Sequence, residues 1–461
     1  MGNQSFISIF GRSRVRTRTG WWPRRMRGQT GSSLVAVLAI TTAVLLVGGA
    51  LFALGVGESG VVDYSIDSTR AFWIAESGVE RARGWLEAQA SEVPPVFPAD
   101  GAFPGQPLGG GEYDVTITQY SGANPWVTEY QVISTGVFEG AVSHVRAVLR
   151  NETFAQYMYF ADEMREIWFI TGDRLDGRVH TNGYIRISGD PWFGMKVSTA
   201  KDEIIMRDGS DPTFEGGYEV GVEEVPLPVP SDLVTTVRAQ ALSEGIYEGA
   251  LTGEYAKYEV KIGKDGWLGS FSYRAYRRPS PYAPYSWSDW TDVYIPDING
   301  VVWFEEPVHV SGVLDGQLTI GSAVDIYIDD NIIYNDSTPE HGPDLGGDDV
   351  LGLVSAGNVV VARTTANQND VVIHAHMLAL DTSFTAEDYD EGLPRGTLTL
   401  YGGFAQQTQG AVGMFGSSGI IHGYQKDYHY DMNLLGHSPP GYPGTGKYLL
   451  TLWEELSSIE A

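Results

Sequence analysis

The sequence predicts a mainly β chain carried on one long N-terminal α-helix. Three observations predict it. An uncharged apolar stretch from Gly28 to Gly57 leads into an apolar stripe at helical period that stops before Pro94. From Tyr113 onward, short runs alternate apolar and polar residues at strand period. Glycine supplies 57 of 461 residues, about 12% against a usual ~7%, scattered without a repeat, as many turns between short strands require.

Composition narrows the function classes before any motif is read. At about 100–200 residues per domain, the length admits two to four compact units. The chain carries 30 basic and 58 acidic side chains, a net charge of −28. Such a polyanion is repelled by phosphate, so no nucleic-acid partner is expected. There is no cysteine, which excludes disulfide scaffolds, thiolate zinc sites and cysteine nucleophiles.

The first element is basic. Residues 1–31 hold seven arginines (Arg12, Arg14, Arg16, Arg18, Arg24, Arg25 and Arg27) and no acid. The stretch Leu34 to Val56 that follows is nearly all Leu, Val, Ala, Ile and Gly, and about 20 apolar residues suffice to cross a bilayer. Arginines stay on the cytoplasmic side, so the prediction is a single-pass inner-membrane protein with everything after Glu58 outside the cytoplasm. Two other readings compete. A cleaved secretory signal could use Ala50 and Ala53, but its apolar core should be only about 7–15 residues. A twin-arginine signal is suggested by Arg24-Arg25, yet Met26-Arg27-Gly28 fits it poorly.

The helix continues past the membrane. Ala71, Ile74, Ala75, Gly78, Ala82, Trp85 and Leu86 recur on one face, and Pro94 and Pro95 stop the pattern. One helix from Ser32 to about Gln89 would be roughly 85 Å long at 1.5 Å per residue.

Here the chain resembles a known family. Gly31 followed by Ser32-Ser33-Leu34-Val35-Ala36-Val37-Leu38, then Ala71-Phe72-Trp73-Ile74-Ala75-Glu76-Ser77-Gly78-Val79-Glu80, is similar to the N-terminal segment of PilX-class minor pilins. Members carry a basic leader ending in Gly, an apolar helix, and an A-F-x-A-E-x-G-x-E stretch after the membrane. The resemblance covers about residues 25–90. It implies cleavage between Gly31 and Ser32 by prepilin peptidase, and packing of the helix among other pilins. Two positions depart from the pattern. Ser32 replaces the usual Phe or Met, and Ala36 stands where major pilins carry a Glu, which argues against a bulk subunit.

After Pro94, strands take over. Tyr113-Asp-Val-Thr-Ile-Thr, Tyr130-Gln-Val-Ile-Ser-Thr and Ser143-His-Val-Arg-Ala-Val-Leu predict a small antiparallel sheet ending near Arg150. Its place matches the sheet that pilins pack on their helix. Residues 221–232, with Pro226, Pro228 and Pro230, read as an extended link. Residues 270–290 are rich in Tyr, Trp, Arg and Pro, either a sugar-stacking surface or an insertion packed on the body, with the second preferred.

In the last third, runs such as Gly316-Gln-Leu-Thr-Ile, Val324-Asp-Ile-Tyr-Ile and Asp370-Val-Val-Ile-His are separated by Gly, Asp and Asn turns. Many short strands without crossover helices predict a right-handed parallel β-helix, with a β-sandwich as the alternative. Gly177-Arg-Val-His180-Thr181-Asn182-Gly183, Leu351-Gly352-Leu353 and Tyr424-Gln-Lys-Asp-Tyr428 also resemble the C-terminal region of large minor-pilin-like bacterial proteins. The predicted organisation is leader 1–31, helix 32–90, small sheet 91–150, β-rich region with aromatic insertion 151–300, solenoid 301–440, and a C-terminal tail with a short helix 441–461.

Chemistry is sparse. His374 and His376 share a strand face and could bind a metal, but paired strand histidines are more often hydrogen-bonded structure. Asp329, Asp330, Asp336, Asp344, Asp348 and Asp349 lie among Gly342, Gly346 and Gly347 and could take Ca²⁺, although the spacing is not that of an EF-hand. His180 is read as stabilising a turn through Asn182. No G-x-S-x-G, P-loop or H-E-x-x-H occurs.

The expected function is therefore non-enzymatic: a minor pilin or pseudopilin of a type IV pilus or related secretion filament, displaying a large β-rich domain at the tip or in the initiation complex. No cofactor is expected. The expected partners are other pilins and pilus assembly proteins, prepilin peptidase and the inner membrane, with surface polysaccharide as a further candidate. The alternatives are a membrane-tethered carbohydrate-active β-solenoid enzyme and a surface adhesin outside any filament.

Overall fold

The computed structural model describes residues 32–89, 103–120, 129–278, 282–338, 342–416 and 419–457. The leader, with Gly31, lies outside them. The chain is mainly β with one long N-terminal helix, α1, running Ser32–Ala88. By contacts it divides into two units, Met1–Ile66 and Asp67–Ala461.

In the first unit, Ser33–Gly55 is long and apolar enough to cross a membrane, and it is the one such helix among the described residues. Among the described residues of the unit nothing covers its side chains: Leu45 and Phe52 are each at least three-quarters exposed (76%).

In the second unit, the end of α1 packs on a five-stranded antiparallel sheet. Strands β1 (Phe103–Leu108), β2 (Gly111–Tyr120), β3 (Glu129–Phe138) and β4 (Ala141–Thr153) follow as a meander. Alternation sets the buried face: Val115 and Ile117 from β2, Tyr130 and Val132 from β3, and Val145, Ala147 and Leu149 from β4 meet Ala75, Val79, Ala82 and Leu86. The helix approaches closely because the contact residues are small. A Cβ at Gly136 would run into the Ala71 carbonyl and the Ala75 backbone, so β3 needs glycine there.

The fifth strand corrects the expected tail. Residues 441–461 were predicted to end in a short helix, whereas Gly444–Leu456 is a strand paired antiparallel with β4. Without it β4 would expose an open edge, and the run Tyr448-Leu-Leu-Thr-Leu-Trp453 satisfies that edge. The chain leaves the sheet at Phe154 and returns beside it, with Phe154 N–H donating to the Pro443 carbonyl at 3.2 Å and Ser438 Oγ 3.0 Å from Thr153 Oγ1. The β-rich body is thus an insertion between two neighbouring strands of the small sheet.

Within the body, the main ladder pairs its strands in parallel. Ile246–Glu248 pairs with Val301–Phe304, which pairs with Gln317–Ser322; Val350–Ser355, Val371–Ala379 and Pro394–Thr408 follow in turn. Pro394–Thr408 then pairs with β5 (Tyr157–Glu163), followed by Arg178–Thr181, Val197–Thr199 and Tyr218–Val220. This overturns the expected boundary at residue 300, because strands from both sides of it share one ladder. The chain enters the ladder in its middle at β5 and builds to one end. It then crosses to the other end and builds back to meet its own entry strand. Inward residues are aliphatic and fully buried, among them Ile320, Leu353, Ile373 and Leu400.

The crossing includes an element that was not expected. The extended link ends at Val229, and α2 (Pro230–Glu244) follows, with Pro230 in its first turn and Gly245 as C-cap. Leu233, Val237 and Ala241 are four apart and buried, so the helix packs on Val301–Phe304. Arg238 Nε meets Glu305 Oε1 at 2.8 Å.

Candidate functional site

The histidines singled out from sequence are buried and hydrogen-bonded in this fold. His374 and His376 are fully buried. His374 Nδ1 accepts from the Tyr334 backbone N–H at 3.2 Å and lies 3.0 Å from Ser337 Oγ. His376 sits between Tyr442 Oη at 2.6 Å and the Tyr157 carbonyl at 2.8 Å. Burial holds both imidazoles down at about 4, so both are neutral at neutral pH. His180 is likewise buried, with Ser198 Oγ at 2.8 Å and Asn182 Oδ1 at 3.1 Å, and burial lowers its pKa. Asn182 in turn grips Val225 through both its backbone N–H and its carbonyl. The Val-His-Thr-Asn-Gly run therefore secures a turn.

The acidic stretch does not gather into a cation cage; among the described residues no group of three or more His, Asp or Glu side chains is placed to hold a metal ion. Asp349 accepts from the backbone N–H groups of Gly316 (2.5 Å) and Asp336 (3.1 Å), while Asp329 accepts from His309 at 2.8 Å. Burial, then the neighbouring Asp349, pushes the Asp336 carboxyl up to about 6.

The aromatic segment is a hairpin extension of the body. Arg274 lies over Trp287 at 4.2 Å and over Trp290 at 4.4 Å, Arg278 lies over Tyr285 at 4.5 Å, and Tyr276 stacks on Tyr285 at 5.3 Å. Each of these rings already has a face taken up from within the segment, as the packed-insertion reading requires.

Sequence reasoning missed a cleft at the seam where the ladder closes on its entry strand. It encloses about 310 Å³ between residues 167–175 on one side and residues 409–415 and 425–429 on the other. Its floor is an aromatic network: Tyr159 meets Phe169 at 5.5 Å and Phe404 at 5.0 Å edge-on, and Phe404 meets Tyr428 edge-on at 5.8 Å and Phe384 in a tilted contact at 5.2 Å. Trp168, held by Arg207 at 4.2 Å, and the exposed Phe415 stand at its rim.

The charges at the rim are paired off. Lys426 Nζ meets Asp173 Oδ1 at 3.2 Å, and Asp173 Oδ2 accepts from the Ile170 N–H at 2.9 Å. His429 lies between Asp176 (3.4 Å) and Asp427 (3.1 Å), which together raise its pKa, the Asp176 hydrogen bond most. Arg174 stacks on Trp192 at 4.1 Å. One polar atom stands apart: Gln409 is 6% exposed and lines the cleft, and its Oε1 is buried without a hydrogen-bond partner. No local motif marks this place, because its walls come from segments about 240 residues apart that only the ladder brings together.

Residues 115–201, from β2 through the strand Val197–Thr199, match a domain of unknown function, DUF4900. No curated protein matches. Among solved structures, the competence-associated pilin ComZ from Thermus thermophilus aligns with a TM-score of 0.35 at 12% identity, covering 85% of this chain and 98% of that one.

Proposed function

We propose that this chain is a minor pilin-type subunit of a type IV pilus or related filament, anchored in the inner membrane and carrying a non-catalytic display domain outside the cytoplasm. One observation carries the reading. A single helix is uncharged, apolar enough to cross a membrane and uncovered among the described residues over Ser33–Gly55, and farther along it packs by small residues on an antiparallel sheet. An uncovered apolar helix needs lipid or other helices around it, and a filament core of packed helices provides the second. The basic leader supplies the orientation, and cleavage between Gly31 and Ser32 by prepilin peptidase would free the helix for assembly. The parallel ladders are read as the coils of a right-handed β-helix. A body of that bulk, inserted into every subunit's sheet, would crowd a filament, which favours a tip or initiating position. Its neighbours there would be other pilins and assembly proteins.

The test is the N-terminus of the membrane-derived protein, read by intact mass and peptide sequencing with and without the peptidase. A start at Ser32 that depends on the peptidase is the expected result. A retained leader, or a start beyond Ala53, would remove the filament reading.

A further inference from the structure

We infer that the seam cleft binds a neutral saccharide, one or two sugar rings lying on the aromatic floor with a hydroxyl donated to Gln409 Oε1. Sugars present apolar C–H faces and a rim of hydroxyl donors, and the cleft offers the complement of both. Aromatic rings line its floor and Trp168 and Phe415 its rim. The partnerless Gln409 Oε1 lacks only a donor, which a hydroxyl provides. A volume of about 310 Å³ lies at the lower end of ligand pockets, about 300–1,000 Å³, and so suits a short saccharide.

Charge decides against the other ligand classes. Lys426 is spent on Asp173, His429 on Asp176 and Asp427, and Arg174 on the Trp192 face. Among the described residues that line the cleft, no cation is left to recruit an anion, and the net charge of −28 opposes its approach. A quaternary ammonium ligand would suit the rings but would leave Gln409 Oε1 unsatisfied. A neutral sugar answers both features, and this inference stands whichever way the N-terminus is processed.

The experiment uses the full chain in lauryldimethylamine oxide, a detergent with no sugar headgroup. Tryptophan fluorescence and saturation-transfer NMR would follow titrations with cellobiose, maltose, mannobiose and diacetylchitobiose, alongside a Trp-containing peptide and sodium acetate. Saturable binding of at least one disaccharide is expected. Gln409→Ala and Trp168→Ala should each weaken it at least tenfold, while Trp287→Ala, in the hairpin segment, should leave it within twofold. Should Gln409→Ala melt early, Phe415→Ala on the exposed rim serves as the second variant. Absence of binding by all four sugars overturns the inference. So does binding indifferent to the cleft variants, or binding of the peptide alone, which would make the cleft a protein-docking site.

Discussion

Trp453 donates its indole N–H to Glu76 Oε1 at 2.5 Å, tying the last strand of the chain to the helix that begins it. Phe72, one turn earlier on α1, meets the same indole edge-on at 6.1 Å. Glu76 belongs to the run Ala71-Phe72-Trp73-Ile74-Ala75-Glu76-Ser77-Gly78-Val79-Glu80, and the fold gives four of its small or polar members a task. Ala71 and Ala75 admit β3, Gly78 faces Ser134, and Glu76 holds the returning strand.

Breaking that tie should loosen the sheet without unfolding the body. Glu76→Ala is expected to cost about 1 kcal/mol, because the acceptor is only partly buried and water replaces part of the bond. Chemical denaturation should show the loss, and amide exchange should localise it to β4 and Gly444–Leu456. Faster exchange throughout the parallel ladder would refute this picture.

Gly136→Ala should be worse despite adding one carbon. The new Cβ has backbone on its far side, at Ala71 and Ala75, which cannot rotate away as a side chain could. Overpacking of this kind costs about 1–3 kcal/mol. Thermal unfolding should register it, whereas Gly140→Ala, with open space beside it, is expected to show no steric penalty and only the strain of its positive φ.

Histidine 376 should make stability depend on pH in a defined sense. Its folded-state pKa of about 4 lies below the unfolded value near 6.5, so the unfolded chain binds the proton first. Its contribution is fully present above pH ~6.5 and is lost as pH falls toward 4. His376→Phe leaves Tyr442 Oη and the Tyr157 carbonyl without their partner and should destabilise by about 2–4 kcal/mol at pH 7.5. The gap to wild type should narrow by pH 5; a constant gap in pH-dependent melts would contradict the assignment.

Asp431 should act in the opposite sense. Burial pushes its carboxyl up to about 6, against the pull of the Asn433 N–H. A raised carboxyl pKa means a penalty that appears as pH rises through the window from about 4 to 6 and persists above it. Asp431→Asn keeps an oxygen for the Asn433 N–H and removes the buried charge. It is expected to stabilise by about 1–2 kcal/mol at pH 7.5 and by nothing near pH 4. Equal melting temperatures at pH 7.5 would count against it.

Much of the molecule was legible residue by residue. The apolar span, the small-residue stripe of α1 and the alternation in β2, β3 and β4 all express local periodicity, and each appears where that periodicity put it. The spacing of Leu233, Val237 and Ala241 carries α2, although Pro226, Pro228 and Pro230 beside it also read as an extended link. The C-terminal strand was not. Tyr448-Leu-Leu-Thr-Leu-Trp453 is followed by Glu454 and Glu455 and is short enough to read as helix or strand, and only the open edge of β4 chooses between them.

What the sequence determined by itself was therefore the kind of element at each place: a membrane-length helix with a packing stripe, then short strands. The tertiary structure decided which strands became neighbours. Tyr159 and Phe404 lie some 245 residues apart along the chain, yet their rings meet at 5.0 Å because Pro394–Thr408 pairs with β5. Side-chain period is a property of a few consecutive residues, whereas the partner of a strand edge is chosen among all edges the folded chain leaves open. The cleft, the insertion of the body between β4 and Gly444–Leu456, and the tie from Trp453 to Glu76 all belong to that second kind of choice.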